Sequence, residues 1–383
     1  NTVLQLEYSN SLVIHDNQVL DHYSGFQLYG CDSAQVTSNE MTKPESSLFG
    51  NRFNRFIYNN NSSSTVIEDN VFSVENGNEG HQEYSAMIVS HQSVIKDNIY
   101  IHDTPSLYGY YNFFIWANES VISGNTYSMV CNGEYMFGFL RTSGSENNRS
   151  LVENNTITST QYYPFNNWNS SWRAFINLEQ YTDFIDNNIN ITVSSGSNNS
   201  AVGILQSKGE GNVIRGNTIF NSQNDPAVYF ENATNQVFTN NVIHSERGSS
   251  SIKVSNSEVL ISHNLIESQV RGIEMSNQSG GEMSNNTIVS PSSADYGIYI
   301  SDLTMPVVQN NIVEGFANGI YAENDLQNQF IQNNNLWNIS EEMFSGTSMP
   351  ELIGELIDLN TNGDESDIYS NLNMDPLFMN PDS

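Results

Sequence analysis

The chain has 383 residues, and its 43 acidic against 12 basic residues leave a formal net charge of −31. That surplus repels a phosphate backbone and an anionic membrane, which argues against nucleic acid as a partner. No run of 18 apolar residues offers a membrane insertion segment, and with only 14% charged residues the polarity comes mainly from Asn and Ser.

Length alone suggests two or three globular domains, but a short unit recurs from about residue 10 to 337. Val213-Ile214-Arg215-Gly216-Asn217-Thr218-Ile219 is a typical copy: an apolar residue, two mostly polar ones, an Asn three positions on, and an apolar residue two beyond it. The Asn marks fall at Asn17, Asn39, Asn70, Asn98, Asn125, Asn155, Asn188, Asn217, Asn241, Asn264, Asn286, Asn311 and Asn334, at spacings of 22 to 33. A fixed period in that range is the signature of a solenoid. The chain begins at Asn1, and Thr2 to Leu6 already reads as a strand, so a piece of a longer protein without its N-terminal cap is expected.

Cys31 and Cys131 lie four repeats apart. At roughly 4.8 Å per stacked strand they are about 19 Å apart along the axis, beyond the ~7 Å reach of a disulfide, so free thiols are expected. Coils ending at Asn70 through Asn217 are 27–33 residues long, whereas later ones are 22–25. Insertions therefore fall around 43–64, 73–84, 103–112, 130–149, 159–173 and 192–200. They and their flanking strands are rich in aromatics. Alternation sends part of the Phe113, Phe114 and Trp116 group inward, while Tyr110, Tyr162, Tyr163, Trp168 and Trp172 are the candidate ligand-binding side chains. Such residues pack loops, stack on sugar rings or fill protein interfaces, and composition does not choose among these.

A second apolar strand recurs in each coil. In Gly272 to Met275 and Gly297 to Ile300, alternation points Ile273, Met275, Ile298 and Ile300 inward and Glu274 and Tyr299 outward. Twelve Asn-x-Ser/Thr sequons occur, with Asn118, Asn154, Asn232 and Asn285 as candidate glycosylation sites, although so Asn- and Ser-rich a chain produces most of them by chance. After Trp337 the pattern stops. Asp358, Asn360, Asn362, Asp364 and Asp367 then follow at calcium-loop spacing around Gly363, which suggests Ca2+. Tyr369 stands where an EF-hand needs a bidentate Glu, and an Asn/Asp/Gly turn without metal is the competing reading.

Two or three short strands per coil, with an Asn at one turn, resemble the right-handed parallel β-helix proteins of the pectate-lyase-like superfamily; Gln236 to Ile243 and Gly281 to Ile288 are typical copies. The resemblance implies an all-β, right-handed parallel β-helix solenoid, here of about 13 coils, whose marked Asn residues stack as an internal ladder. A side-chain amide supplies both a donor and an acceptor to turn peptides that lack a strand partner, so the ladder is structural. Asn371 to Asp382, with Asp375-Pro376-Leu377-Phe378, resembles the segment after the last coils of secreted bacterial relatives. The expected organisation is a β-helix over 1–337, with long-loop coils over 40–217 and compact coils over 218–337, then a loop or cap segment over 338–383.

Characterised relatives are often polysaccharide lyases or glycosidases. A hydrolase needs paired carboxylates, yet the chain has no Asp-Asp pair and no Gly-His-Gly stretch. A lyase needs a base plus a cation against the uronate carboxylate, for which Arg141, Arg173 and Lys208 are the candidates. Arg141 and Arg173 share a register counted from their ladder Asn, and Glu179 shares one with Lys208, which a surface ion pair explains. The leading expectation is a secreted or cell-surface structural or adhesive protein that binds a glycan or protein partner on its long-loop face, with end-to-end self-association into filaments as a further expectation. A polysaccharide lyase or carbohydrate-binding relative is the alternative.

Overall fold

The computed structural model describes residues 2–20, 24–43, 55–60, 62–75, 85–104, 112–131, 137–161, 174–193, 203–301, 304–323, 331–347 and 349–378. Every strand of the repeats pairs in parallel with its equivalent one coil away, and the chain is all-β. It divides into two compact units, Asn1–Asp225 and Pro226–Ser383. Each is a right-handed parallel β-solenoid whose coil visits three sheets in turn.

In the first unit each sheet has eight strands, running from Thr2–Glu7 to Gly203–Glu210 in sheet 1, Val13–His15 to Val213–Arg215 in sheet 2, and Gln18–Leu20 to Thr218–Asn221 in sheet 3. The second unit has five strands in sheets 2 and 3 and six in sheet 1, the sixth being Glu342–Gly346. The regular coil thus continues past Trp337 by one strand.

The reason is legible in each turn between sheets 2 and 3. The residue before each ladder Asn adopts a left-handed conformation, as at Asp186 (φ 52°), Asn240 (φ 55°) and Asn310 (φ 56°), a geometry that Asn, Asp and Gly tolerate best. Gly216 (φ 69°) takes the same conformation directly over the Asp186 carboxylate, which an added Cβ would displace. The kink turns the next Asn inward. Asn125 Nδ2 lies 2.9 to 3.1 Å from the carbonyls of Ile95 and Ser123 and 3.0 Å from Asn155 Oδ1, while that same Oδ1 accepts the Asn125 backbone N–H at 3.0 Å. One amide thereby satisfies the peptide groups that the turn leaves outside the sheets.

The ladder corrects one expected rung. Asn155 donates to Asn187 Oδ1, and Asn187 to Asn217 Oδ1, whereas Asn188 is exposed at the start of a sheet 3 strand. Asn187 is the one that follows the left-handed Asp186 and sits two before the buried Ile189, so in an Asn-Asn pair the spacing to the apolar residue decides. The ladder in the second unit runs Asn241, Asn264, Asn286, Asn311, Asn334 and then Asn371, a rung supplied by the C-terminal segment.

The cores differ. The first unit encloses an aromatic column: Tyr100 stacks on Phe114 at 4.4 Å and on Tyr127 at 5.1 Å, with Phe72 and Phe139 edge-on or tilted at either end. Its one described buried histidine is His102, whose Nδ1 lies 3.2 Å from Tyr100 Oη. The second unit is filled mainly by aliphatics, among them Ile243, Ile266, Ile288 and Ile320. Ile273, Met275, Ile298 and Ile300 point inward as alternation requires, and Tyr299 points outward. Cys31 is a buried free thiol, and the side chain of Cys131 lies outside the described residues.

Candidate functional site

The insertions of the first unit share one corner. Residues 44–54, 76–84, 105–111, 132–136, 162–173 and 194–202 each join the end of a sheet 3 strand to the start of a sheet 1 strand, from Glu40–Lys43 and Arg55–Asn60 through Asn188–Val193 and Gly203–Glu210. Their anchor points stack coil upon coil, because the flanking strands pair in register. The candidate binding residues Tyr110, Tyr162, Tyr163, Trp168 and Trp172, and the lyase candidate Arg173, lie in these segments and outside the described residues. An additional short excursion, Gly144–Arg149, lies instead between sheets 1 and 2, where Ser145 and Asn148 bridge.

The described part of the site is the outward face of sheet 1 beside that corner. Trp116, 38% exposed, is in register with Arg141, which is in register with Asn177. The Arg141 guanidinium lies 4.3 Å above the Trp116 ring. Its Nε and Nη2 donate to Glu179 Oε1 at 2.9 and 2.7 Å. A cation held between an indole face and a carboxylate has its charge largely spent. It orients Trp116 more readily than it neutralises an incoming uronate. Asn177 is buried and donates Nδ2 to the Ala174 carbonyl at 2.9 Å.

The expected register of Arg141 with Arg173 does not hold, since Asn177 occupies that place. Counting back from the ladder misleads here because Thr142 pairs with Leu178 and Ser150 with Thr182, so the Gly144–Arg149 excursion lengthens one coil relative to the next. Lys208 follows Ser207, the register partner of Leu178, and so falls beside Glu179, whose carboxylate Arg141 already holds.

The calcium-loop residues form a self-contained turn. Asn360 Oδ1 accepts the N–H groups of Asn362 and Asp364, each at 2.9 Å, and Asn360 Nδ2 donates to Asp364 Oδ2 at 2.9 Å. Asp358 Oδ1 accepts the Leu359 N–H at 2.8 Å. Asp367 is buried and its carboxylate accepts from the backbone of Gly354, Tyr369 and Asn371 and from Asn371 Nδ2. It therefore ends the Asn ladder. Asp358, Asn360, Asp364 and Asp367 thus each give a side-chain oxygen to protein donors in this turn and its neighbours. Among the described residues the one set of three carboxylates with ligand atoms within 4.8 Å of one another is Glu68, Asp69 and Asp97, and Glu68 is bridged by Lys96 Nζ at 2.5 Å.

Of the sequon residues, Asn154, Asn232 and Asn285 are exposed in left-handed turn positions, whereas Asn118 keeps its Oδ1 buried. Alternation sends only part of the Phe113, Phe114 and Trp116 group inward: Phe113 and Phe114 are buried, and Trp116, in register with Arg141, is the exposed aromatic of the face.

Fold and ladder define a parallel β-helix protein. The sequence pattern of the family described as "Right handed beta helix region" matches residues 184–336. Among solved structures, the A-module of an Azotobacter vinelandii mannuronan C-5 epimerase is similar over 90% of this chain and 91% of that chain, with a TM-score of 0.40 and 10% identity. No curated protein matches the chain.

Proposed function

We propose that this is a secreted or cell-surface β-helix protein of structural or adhesive role, whose first unit binds a glycan or protein partner along the corner between sheets 3 and 1. One observation carries the reading: six insertions, four of them carrying Tyr or Trp, leave a rigid scaffold at the same corner of successive coils. Loops anchored on a rigid frame are where binding residues concentrate. Trp116, held by Arg141, adds an exposed aromatic beside their anchor points.

A polysaccharide lyase is the second reading, favoured by Arg141 and Lys208 on the same sheet. Incubation with pectate, alginate, chondroitin and neutral glycans separates the two. Unsaturated ends or reducing sugar would overturn the adhesive reading. Binding that vanishes when residues 162–173 are replaced by a short Gly-Ser linker, with no turnover, supports it. Calcium remains a proposal for the 358–367 turn, to be checked by whether EGTA lowers the melting temperature. Filament formation is checked by size-exclusion chromatography and electron microscopy.

A further inference from the structure

The outward faces of the first unit are unequal in charge. Sheet 2 presents Lys96, Glu153, Asp183 and Arg215, and sheet 1 presents Arg141 and Glu179. Sheet 3 is different. From the strand Thr126–Cys131 to the strand Thr218–Asn221 its residues include no charged group, in a chain of net charge −31.

What it presents instead is regular. Thr126, Thr156, Asn188 and Thr218 are register partners in one row, all exposed. Ser128, Thr158 and Asn190 form the row beside it. Ile99 and Ile101, 42% and 45% exposed, extend the two rows by a coil. Between the rows Tyr127, Ile157, Ile189 and Ile219 are fully buried, which locks the outward residues to the core. The strands pair one to one without a bulge, so hydroxyl, amide and methyl groups repeat about every 4.8 Å along the axis and about 6.6 Å across it.

This chemistry narrows the occupant. A uronate polymer or a nucleic acid is drawn by cations, and the face has none among its described side chains. A second copy of the chain brings the same −31 charge with it. A neutral pyranose chain offers what the face offers: hydroxyl rims that donate and accept, and apolar C–H faces that suit the methyls of Thr and Ile. A face that repeats at one strand spacing suits packed chains rather than one sugar. We propose that the outward face of sheet 3 from the strand Thr126–Cys131 to the strand Thr218–Asn221 binds the flat surface of a packed neutral polysaccharide. The residues are distinct from the loop corner, so this proposal does not rest on the loop-face reading.

The experiment is depletion of the protein from solution by microcrystalline cellulose and by chitin, using protein made without glycosylation because the Asn190 sequon lies on this face. Soluble polygalacturonate is the charged control. Retention on at least one neutral polymer is expected, and Thr158→Glu with Asn190→Glu should weaken it about tenfold or more, since each carboxylate would be covered without a partner. Both sites are exposed, so the double variant should keep its melting temperature. Replacing residues 162–173 should leave this retention intact, which separates it from the loop-corner reading. Retention on neither polymer, or equal retention of the double variant, overturns the proposal. So does thermal hysteresis without polysaccharide retention, which would assign the face to ice, or a dimer abolished by the double variant, which would assign it to a second copy.

Discussion

The two units answer the same folding problem with different surpluses. Both stack an Asn rung per coil, yet the first spends its extra residues on insertions at one corner and on an aromatic column inside, while the second keeps coils near the minimum and fills them mainly with isoleucine. The second unit uses its remaining residues to close its own ladder, through Asn371 and Asp367. The difference teaches that the ladder and the inward apolar positions are the invariant demand of this solenoid. Corner length, core aromatics and surface charge are free to vary. The first unit varies them together, and that is the ground for proposing that binding falls there.

The largest expected effect follows from His102. Burial holds its imidazole down to about 3 from an ordinary 6.5. The folded unit therefore stays neutral at this position where the unfolded chain takes up a proton. Falling pH favours unfolding between those two values, and stability is complete only above 6.5. The loss is at most about 5 kcal/mol at the acid end. Hydrogen exchange should show the first unit opening before the second as pH falls from 7 to 4, and His102→Leu should flatten that dependence. An unchanged dependence in the variant would place the acid sensitivity elsewhere.

Removing a rung should come next. Asn98→Ala in the first unit and Asn264→Ala in the second each strand a buried backbone N–H and two carbonyls, at a cost of about 3 to 4 kcal/mol. Chemical denaturation followed by hydrogen exchange should give similar costs in both. A cost confined to one unit would break the claim that the ladder is their shared frame.

That shared frame is also the part that could be read from sequence. A period visible in twelve of its thirteen Asn marks survives because each rung faces the same geometric demand, and the one slip, Asn188 for Asn187, arose where two amides adjoin. Ile273 and Ile298 were legible for the same reason, since alternation has a single meaning when one face is core. The site was less legible. Register between Arg141 and its neighbour depends on the Gly144–Arg149 excursion, whose length does not announce on which corner it falls. The capping role of Asp367 was hidden because its acceptors serve N–H groups from Gly354 to Asn371, a set assembled by folding and not by spacing.

Asp367 makes the third test. Its carboxylate takes the last donors of the second unit's ladder, an end the first unit's described residues do not share in this form. Asp367→Ala leaves the Asn371 amide and several backbone N–H groups without their charged acceptor, at about 2 to 3 kcal/mol. Limited proteolysis should then cut within 350–378 while the first unit's protection is unchanged. Equal loss in both units would mean the substitution acts on something other than the cap.

The smallest effect is the most discriminating, because the two units carry the same surface device. In the first, Arg141 lies over Trp116 and bonds Glu179; in the second, Arg271 lies 4.1 Å over Tyr299 and donates to Glu274 Oε2 at 3.2 Å. Tyr299 also stacks on Tyr321 at 4.9 Å, and its hydroxyl, pushed up first by burial and then by its bond to Glu323, stays protonated through the physiological range. Partly exposed cation–aromatic and ion pairs each contribute about 0.5 to 1 kcal/mol. Arg141→Ala and Arg271→Ala should therefore lower stability by about the same 1 kcal/mol, since the geometry is alike. Their effects on ligand retention should differ. Freed from its guanidinium, Trp116 loses its orientation beside the loop corner, so Arg141→Ala should weaken binding at that face, whereas Arg271→Ala, with Tyr299 still clasped by Tyr321 and Glu323, should not. Equal weakening by both would show that the aromatic–arginine clusters bind as one kind of surface and that the inserted loops are not what distinguishes the first unit.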